Sequence, residues 1–208
     1  VRFGTLDMHG MERSTTWTEL ATSAAAGDET ITLNAPVDWV AGEEIIVATT
    51  DYVSTHTERR TISEVLGTAA NPILRLNTPL DFSHFAGIEN YGAESIEMRA
   101  EVGLLTRNVL FRGDPETSAK NQFGAHIMVH SPGDESSIAR ISYIELNDVG
   151  QAFQLGRYPI HYHMIGTVNK SYVIGNCVHN SYNRGTTIHG VHYLRVMHNV
   201  YYSAMGHN

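Results

Sequence analysis

Three segments in the second half of the chain repeat one short pattern, and this repeat restricts the fold more than any other feature. Each segment joins a short β-branched run to Asn, Gly or Ser at a corner. The segments are Ser142–Gln151, Ser171–Asn180 and Leu194–Ser203. Aligning them makes Asn147, Asn176 and Asn199 equivalent, at offsets of 29 and 23 residues. Such spacing is typical of a solenoid, so we expect a parallel β-helix with equivalent residues stacked about 4.8 Å apart.

Composition excludes several classes of protein. The chain has 208 residues, 42% of them hydrophobic and 17% charged, which suits a folded domain with a real core. A net charge of −8 without a basic stripe argues against a nucleic-acid partner. No apolar run reaches the length of a membrane span, so we expect no membrane contact. The chain lacks an initiator Met and a signal peptide, and we expect it to be a fragment of something longer.

The spacing of predicted strands and breaks changes twice along the sequence. Residues 16–94 alternate short strands with frequent breaks, which predicts a small β module resembling a barrel or sandwich. Residues 95–208 have the longer spacing of solenoid repeats, and residues 1–15 look like one earlier coil ending in His9-Gly10. No segment keeps a helical period. We therefore predict an all-β fold, a right-handed parallel β-helix carrying a small inserted β module.

Several stretches carry a resemblance to a known family. They are Pro36–Trp39, Gly42–Asp51, Met98–Asn108, Gly156–His163, Asn183–Gly190 and Met205–His207. Together they resemble the fibrocystin-L-like family of extracellular proteins, whose relatives include cell-surface and secreted hyaluronan-degrading proteins. In that family an eight-glycine domain runs into parallel β-helix repeats, and residues 1–15 would be the end of that domain. The resemblance implies an extracellular or cell-surface location in glycan-rich surroundings, and it lies closer to the members without established enzymatic activity.

Histidines are concentrated in the repeat region, where nine of the twelve lie between His126 and His207. Strand alternation places His161 and His163 on one face. The Ile-His pair recurs at Ile188-His189, so we expect His189 to stack on or beside His161. His207 would join one coil later.

Three interpretations of this cluster remain open. The first is a polar ladder of stacked imidazoles. The second is a divalent-metal site, for instance for zinc, formed by His161, His163, His189 and His207. The third is acid–base chemistry on an acidic polysaccharide, in which His189 would be the base and Arg184 or Arg157 would hold a carboxylate.

The wider candidate ligand site contains five residues: Arg157, His161, His163, Arg184 and His189. Glycosidases usually need two carboxylates. Glu145 and Asp148 stand alone on their coil, at least 13 residues before His161. We therefore assign no catalytic residue, and an enzyme is the less favoured alternative.

These observations together favour an extracellular structural or interaction module of a surface coat or fibre. Its expected partners are glycans, other extracellular proteins or further copies of itself. The alternatives are a hyaluronan-type depolymerising enzyme and a metal-dependent glycan-binding module. Asn169-Lys170-Ser171 matches the acceptor sequence for N-glycosylation and lies at a turn between coils, so Asn169 is the candidate modification site.

Overall fold

The computed structural model describes residues 1–131, 134 and 136–207. Asn208, at which the predicted repeat region ends, lies outside the described residues. The all-β prediction is confirmed: the described chain contains one short helix, α1 (Ser118–Asn121), and one 3-10 turn (Ser54–His56). The strands are β1 (Gly4–His9), β2 (Trp17–Glu19), β3 (Thr30–Thr32), β4 (Glu44–Val47), β5 (Glu58–Gly67), β6 (Pro72–Leu76), β7 (Ile88–Tyr91), β8 (Glu94–Glu97), β9 (Glu101–Leu104), β10 (Leu110–Arg112), β11 (Ile127–His130), β12 (Ser137–Ser142), β13 (Glu145–Val149), β14 (Ile160–Thr167), β15 (Tyr172–Ile174), β16 (Cys177–Ser181), β17 (Thr186–His192), β18 (Arg195–Met197) and β19 (Val200–Ala204).

The chain divides into two compact units. Val1–Arg13 and Arg107–Asn208 form one, here called the parallel-strand unit, and Ser14–Thr106 form the other, here called the antiparallel unit. Strand β1 pairs in parallel and in register with β12, more than 120 residues later in the chain. The first segment of the chain is therefore part of the same unit as the repeats.

Three parallel sheets build the parallel-strand unit. Their strand orders are β1-β12-β15-β18, β10-β13-β16-β19 and β11-β14-β17. From β11 onward the chain visits the three sheets in a constant order, one strand each, before returning to the first. Each strand therefore pairs with the strand one turn away in sequence.

In-register pairing stacks apolar side chains inside this unit. Ile141 pairs with Val173, and Leu146 with Val178; all four are at most 1% exposed. Burying such a side chain contributes roughly 1.5–3 kcal/mol. Tyr162 is also fully buried, and its hydroxyl donates to the Ala139 carbonyl at 2.7 Å. The alternation that turns Ile160 and Tyr162 into this core turns the residues between them outward.

The structure corrects one of the predicted equivalences. Asn176 and Asn199 do occupy the same corner, since Cys177 pairs with Val200. Asn147 does not, because Glu145 is the residue that pairs with Cys177, which places Ile144 at that corner. The predicted alignment of Asn147 was wrong by three residues. The segment from the corner at Ile144 to the corner at Asn176 is longer than the segment from Asn176 to Asn199. A short pattern centred on Asn therefore could not give the position of the first corner.

A left-handed residue precedes each of these corners. Tyr143, Gly175 and His198 occupy equivalent places with φ of 53°, 67° and 55°. A side chain at Gly175 would come within 2.4 Å of the Tyr143 ring, so glycine is required there. This conformation turns the chain sharply from one sheet into the next.

The antiparallel unit contains a six-stranded sheet in the order β2-β9-β4-β5-β6-β3. A bridge between Leu20 and Leu33, at the ends of the outermost strands, brings the two edges of this sheet together. Both residues are fully buried, and Trp39 joins their apolar cluster.

A buried polar network lies beside that core. The Glu58 carboxylate accepts the backbone N–H groups of Asp81 and Phe82 and pairs with Arg60. His84 Nε2 lies 2.9 Å from the same carboxylate, and both side chains are at most 3% exposed. Burial alone would raise the pKa of Glu58, but these donors and charges outweigh it and hold the pKa below its usual value.

The boundary predicted at residue 95 differs from the structure, which divides the chain between residues 106 and 107. Residues 95–97 lie in β8, which forms an antiparallel hairpin with β7 around Gly92 and Ala93. Gly92 has a φ of +68°, which suits a two-residue hairpin turn. Residues 95–97 thus pair locally in a hairpin instead of joining a parallel sheet. Strand β10 is the first strand after the boundary to join the parallel sheets.

Among the described residues, no helix has the length and apolar character needed to cross a membrane.

Candidate metal centre

Strands β14 and β17 carry three histidines to one place. His161 and His163 alternate outward from β14, and His163 pairs directly with His189 of β17. One ring nitrogen from each of the three residues lies within 4.8 Å of the other two. Parallel pairing therefore converts two separate sequence motifs into one group of imidazoles.

The geometry of this group is compatible with a tetrahedral metal ion. The Nδ1 atoms of His163 and His189 are 3.1 Å apart. In a tetrahedral zinc site with Zn–N distances near 2.05 Å, ligand nitrogens are separated by about 3.3 Å. The widest separation of 4.8 Å exceeds this by about 1.5 Å. Because His189 is exposed, a rotation of its ring can supply that movement.

The rings approach one another edge to face. Interplanar angles are 70° between His161 and His163 and 62° between His163 and His189, at centroid distances of 5.0 and 4.9 Å. Nitrogen lone pairs lie in the ring plane, so tilted rings can aim them at a common point. Stacked rings, as the polar-ladder interpretation supposes, would aim them in parallel. The 3.1 Å contact also permits a hydrogen bond between the two imidazoles.

A backbone carbonyl fixes the orientation of His161. Its Nδ1 donates to the Gly156 carbonyl oxygen at 3.0 Å, so Nε2 retains the lone pair. Metal-binding histidines commonly donate their second nitrogen in this way. Gly156 has a φ of +85°, a conformation that other residues rarely adopt.

The protonation of these residues also suits a metal. Burial, followed by the charges of His163, His189 and Arg184, lowers the pKa of His161 despite its hydrogen bond to Gly156. Burial and the charges of His189 and His130 lower the pKa of His163. Both imidazoles are therefore neutral at neutral pH, which is the form that binds metal.

A cleft of about 370 Å³ is lined in part by Tyr158, whose ring contacts His161. Its walls are Phe153, Gln154, Leu155, Tyr158, Tyr182, Asn183, Arg184, Met205 and Gly206. This volume lies within the range of small-molecule sites, about 300–1,000 Å³. Among the described residues that line it, none carries a carboxylate and one carries a positive charge.

Tyr158 connects the cleft to the histidines. Its ring meets His161 edge to face at a centroid distance of 4.8 Å, and the Arg184 guanidinium lies 5.0 Å from its centre. Arg157 lies outside the cleft wall, where its Nη1 is 3.1 Å from His126 Nε2. The structure thus brings Arg184 towards His161 and leaves Arg157 at the exposed edge.

Two details of the histidine prediction differ from the structure. His189 pairs with His163, while His161 pairs with Thr187, because the offset between the strands is 26 residues and the Ile-His repeat suggested 28. His207 is exposed and does not belong to the group of three among the described residues. Its backbone carbonyl accepts the Gly185 N–H, so it lies at the corner before β17.

The acidic residues near these strands are already engaged. Glu145 accepts from buried His179 at 2.9 Å. Asp148 accepts from the Tyr182 hydroxyl at 2.9 Å. Burial, together with the hydrogen bond and charge of Asp148, raises the pKa of Tyr182 to about 12. Neither carboxylate lines the cleft.

Asn169 is exposed in the turn between β14 and β15. Ser171, two residues later, is 1% exposed, and its hydroxyl accepts the Ala139 N–H at 3.1 Å.

Sequence reasoning missed the Gly156 carbonyl and Thr187. Only the folded loop brings the carbonyl to His161, so no sequence signal could have found it. Thr187 could have been found from its parity, because it stands two residues before His189 on the same strand.

Comparisons with known proteins bear on the predicted resemblance. A family model described as the CEMIP beta-helix matches residues 122–208. The chain is 37% identical to mouse fibrocystin-L and 36% identical to human fibrocystin-L, over 99% of this chain and 6% of each of those proteins. A G8 domain-containing protein of Dictyostelium discoideum is 35% identical over 98% of this chain and 17% of that protein. The predicted resemblance is confirmed, and the chain spans only a small part of these relatives.

Solved structures give weaker likenesses. The tailspike protein gp49 of Pseudomonas phage LKA1 aligns over 94% of this chain and 30% of that chain, with a TM-score of 0.31 and 14% identity. The tailspike gp61 of Pseudomonas phage phi297 gives a TM-score of 0.32 and 9% identity, over 93% of this chain and 34% of that one. The pairing of the strands in this chain defines its fold.

Proposed function

Because this chain is a fibrocystin-L-like sequence over nearly its whole length, we propose that it is an extracellular interaction module of a larger surface protein. Its function would be to bind an acidic glycan beside a divalent-metal centre. The observation that carries this proposal is the convergence of His161, His163 and His189 next to a cleft with an arginine on its wall. The location, the metal and the ligand are all parts of the proposal.

The scaffold of the module would be a right-handed parallel β-helix. Its support is the set of three parallel sheets that the chain visits in constant order. Crossover connections between parallel strands of one sheet are right-handed in about 98% of cases. A stiff scaffold of this kind would suit a structural role in a surface coat or fibre as well as binding.

Zinc is the metal that the donor set favours. Three imidazole ligands suit a borderline cation, whereas calcium and magnesium prefer oxygen ligands. A site with three protein ligands keeps a fourth position for water or a bound ligand. Tyr158 would connect this centre to the cleft, because its ring contacts both His161 and the Arg184 guanidinium.

An acidic saccharide is the ligand class that the cleft favours. The tyrosine rings of Tyr158 and Tyr182 offer flat apolar surfaces with polar edges, which suit the face of a sugar ring. Arg184 offers a planar guanidinium for a carboxylate. A cleft whose described lining has no carboxylate would favour an anion even though the whole chain is acidic.

The metal part is tested by calorimetric titration of zinc into the chain at pH 7.5. We expect one zinc ion per chain, with affinity reduced at least tenfold by His163→Ala. His192→Ala is the matched control, because His192 lies on the same strand as His189 but outside the group. If His163→Ala binds zinc as tightly as wild type, the metal centre is wrong.

The glycan part is tested with the zinc-loaded chain and two oligosaccharide series, one built from hyaluronan and one neutral. We expect binding of the acidic series only, weakened about tenfold or more by Arg184→Ala. Arg195→Ala is the control, because Arg195 packs over Tyr172 on a different sheet. Equal binding of neutral and acidic oligosaccharides would refute the ligand class.

Metal-assisted depolymerisation is a second candidate, because a centre held by the three histidines alone would leave a ligand position for water. A bound zinc ion can activate water at neutral pH. Shortening of hyaluronan by the zinc-loaded chain, followed by size-exclusion chromatography, would support this candidate if chelator and His163→Ala both abolish it. Binding without shortening would leave the interaction module as the function.

A further inference from the structure

The Thr187 side chain has a feature that the histidines alone do not explain. Its Oγ1 is enclosed by protein and makes no hydrogen bond within the described chain. Hydroxyl groups shut away from water without a partner are uncommon in folded proteins, since leaving one unpaired is costly. An unpaired hydroxyl at this position therefore calls for a ligand.

Strand pairing places Thr187 in the histidine group. Thr187 pairs with His161, in the same sheet in which His163 pairs with His189. Neighbouring strands are about 4.8 Å apart, and residues two apart on a strand share a face. Thr187 is thus adjacent to His161 across the strands and to His189 along its own strand, on the face that carries all three imidazoles.

Other polar groups near Thr187 have their own partners. Thr186 and the Tyr201 hydroxyl are 2.8 Å apart, so their polar atoms are paired with each other. His161 Nδ1 is taken by Gly156. Of these polar side chains in β14 and β17, the Thr187 hydroxyl is the one with both a free hydrogen and a free lone pair.

We infer that the Thr187 hydroxyl becomes accessible when the His189 ring rotates to bind the metal, and that it then donates a hydrogen bond to the oxygen atom of the ligand that the metal binds. This inference rests on the proposed metal centre and assigns its outer contact. A donor here favours ligands with an anionic oxygen, and a uronate carboxylate is such a ligand. Thr187 is a positioning residue: it holds the bound oxygen while the three histidines hold the metal.

The test uses the cobalt-loaded chain, whose visible spectrum reports changes in the metal's ligands, and glucuronate as the probe. Thr187→Val removes the hydroxyl and keeps the shape, while Thr187→Ser keeps the hydroxyl. We expect Thr187→Val to weaken glucuronate binding about tenfold, the effect of one hydrogen bond, with metal affinity within about twofold of wild type. Thr187→Ser should retain wild-type probe affinity.

Failure of this inference can be told apart from failure of the metal centre. If cobalt and zinc do not bind the wild-type chain, the proposed centre is wrong. If the metal binds and Thr187→Val takes up glucuronate as tightly as wild type, the centre stands and the role of Thr187 is refuted. If Thr187→Val loses metal affinity together with probe affinity, the residue has a structural role only, and the inference is also refuted.

Discussion

Replacing Asn176 by alanine would test how a buried amide stabilises the corners of the parallel-strand unit. Asn176 is completely buried. Its Oδ1 accepts the Ile144 N–H at 3.1 Å, and its Nδ2 donates to the Ile141 carbonyl at 3.1 Å. Nδ2 also donates to Asn199 Oδ1 at 3.0 Å, so one side chain joins three successive corners.

The magnitude follows from the groups that alanine leaves behind. Ile144 and Ile141 are both fully buried, so the orphaned N–H and carbonyl have no ready access to water. Each unsatisfied buried group costs about 1–3 kcal/mol. We therefore expect Asn176→Ala to lower the free energy of unfolding by about 2–5 kcal/mol. Asn199→Ala should cost less, because Asn199 is partly exposed.

Urea unfolding can follow the two units separately. Both tryptophans, Trp17 and Trp39, lie in the antiparallel unit, whereas eight of the ten tyrosines lie in the other. Near-ultraviolet circular dichroism of tyrosine should show the loss, with tryptophan fluorescence as the internal reference. Asn169→Ala, in an exposed turn, is the matched control. A loss below about 1 kcal/mol for Asn176→Ala would refute the argument that its amide satisfies otherwise stranded groups.

Three further predictions concern charge and modification. Because the pKa of Glu58 is lowered by folding, its carboxylate contributes fully to stability above the unfolded pKa of about 4.5, and this contribution is lost as pH falls through the folded pKa. Glu58→Gln should lower the free energy of unfolding of the antiparallel unit by about 2–4 kcal/mol at pH 7 and remove this acid dependence. Tryptophan fluorescence would measure both effects. Zinc should leave the histidine group only below about pH 6.5, because protons compete for the ligands and the pKa values of His161 and His163 are lowered. Calorimetry at pH 7.5, 6.5 and 5.5 checks this, and release of zinc above pH 7 would contradict it. When the chain is secreted from a eukaryotic host, glycosidase treatment should change the electrophoretic mobility of the wild-type chain and leave that of Asn169→Gln unchanged. Because the Ser171 hydroxyl is buried after folding, the refolded bacterial chain should not accept the glycan.

The sequence could predict the chain's class of structure because that class depends on local pattern. Alternation of apolar and polar residues in Ile160–His163 indicates a strand with one buried face, and the structure has that strand in β14. The equivalence of Asn176 and Asn199 was also readable, since the intervening 23 residues contain only short connections. Asn147 was misplaced because the preceding turn of the parallel-strand unit is longer, and sequence similarity of a few residues cannot fix a register.

Register is set by contacts between strands far apart in sequence, so only the tertiary structure could determine which side chains form the candidate metal centre. Alternation alone put His161 and His163 on one face. The pairing of β14 with β17 then chose His163 as the partner of His189, gave Thr187 to His161 and left His207 outside. A folded loop brings the Gly156 carbonyl to His161, and a corner places the Arg184 guanidinium over Tyr158, which contacts His161. The sequence determined which side chains could share a face, and packing of the core across the strands determined which of them meet.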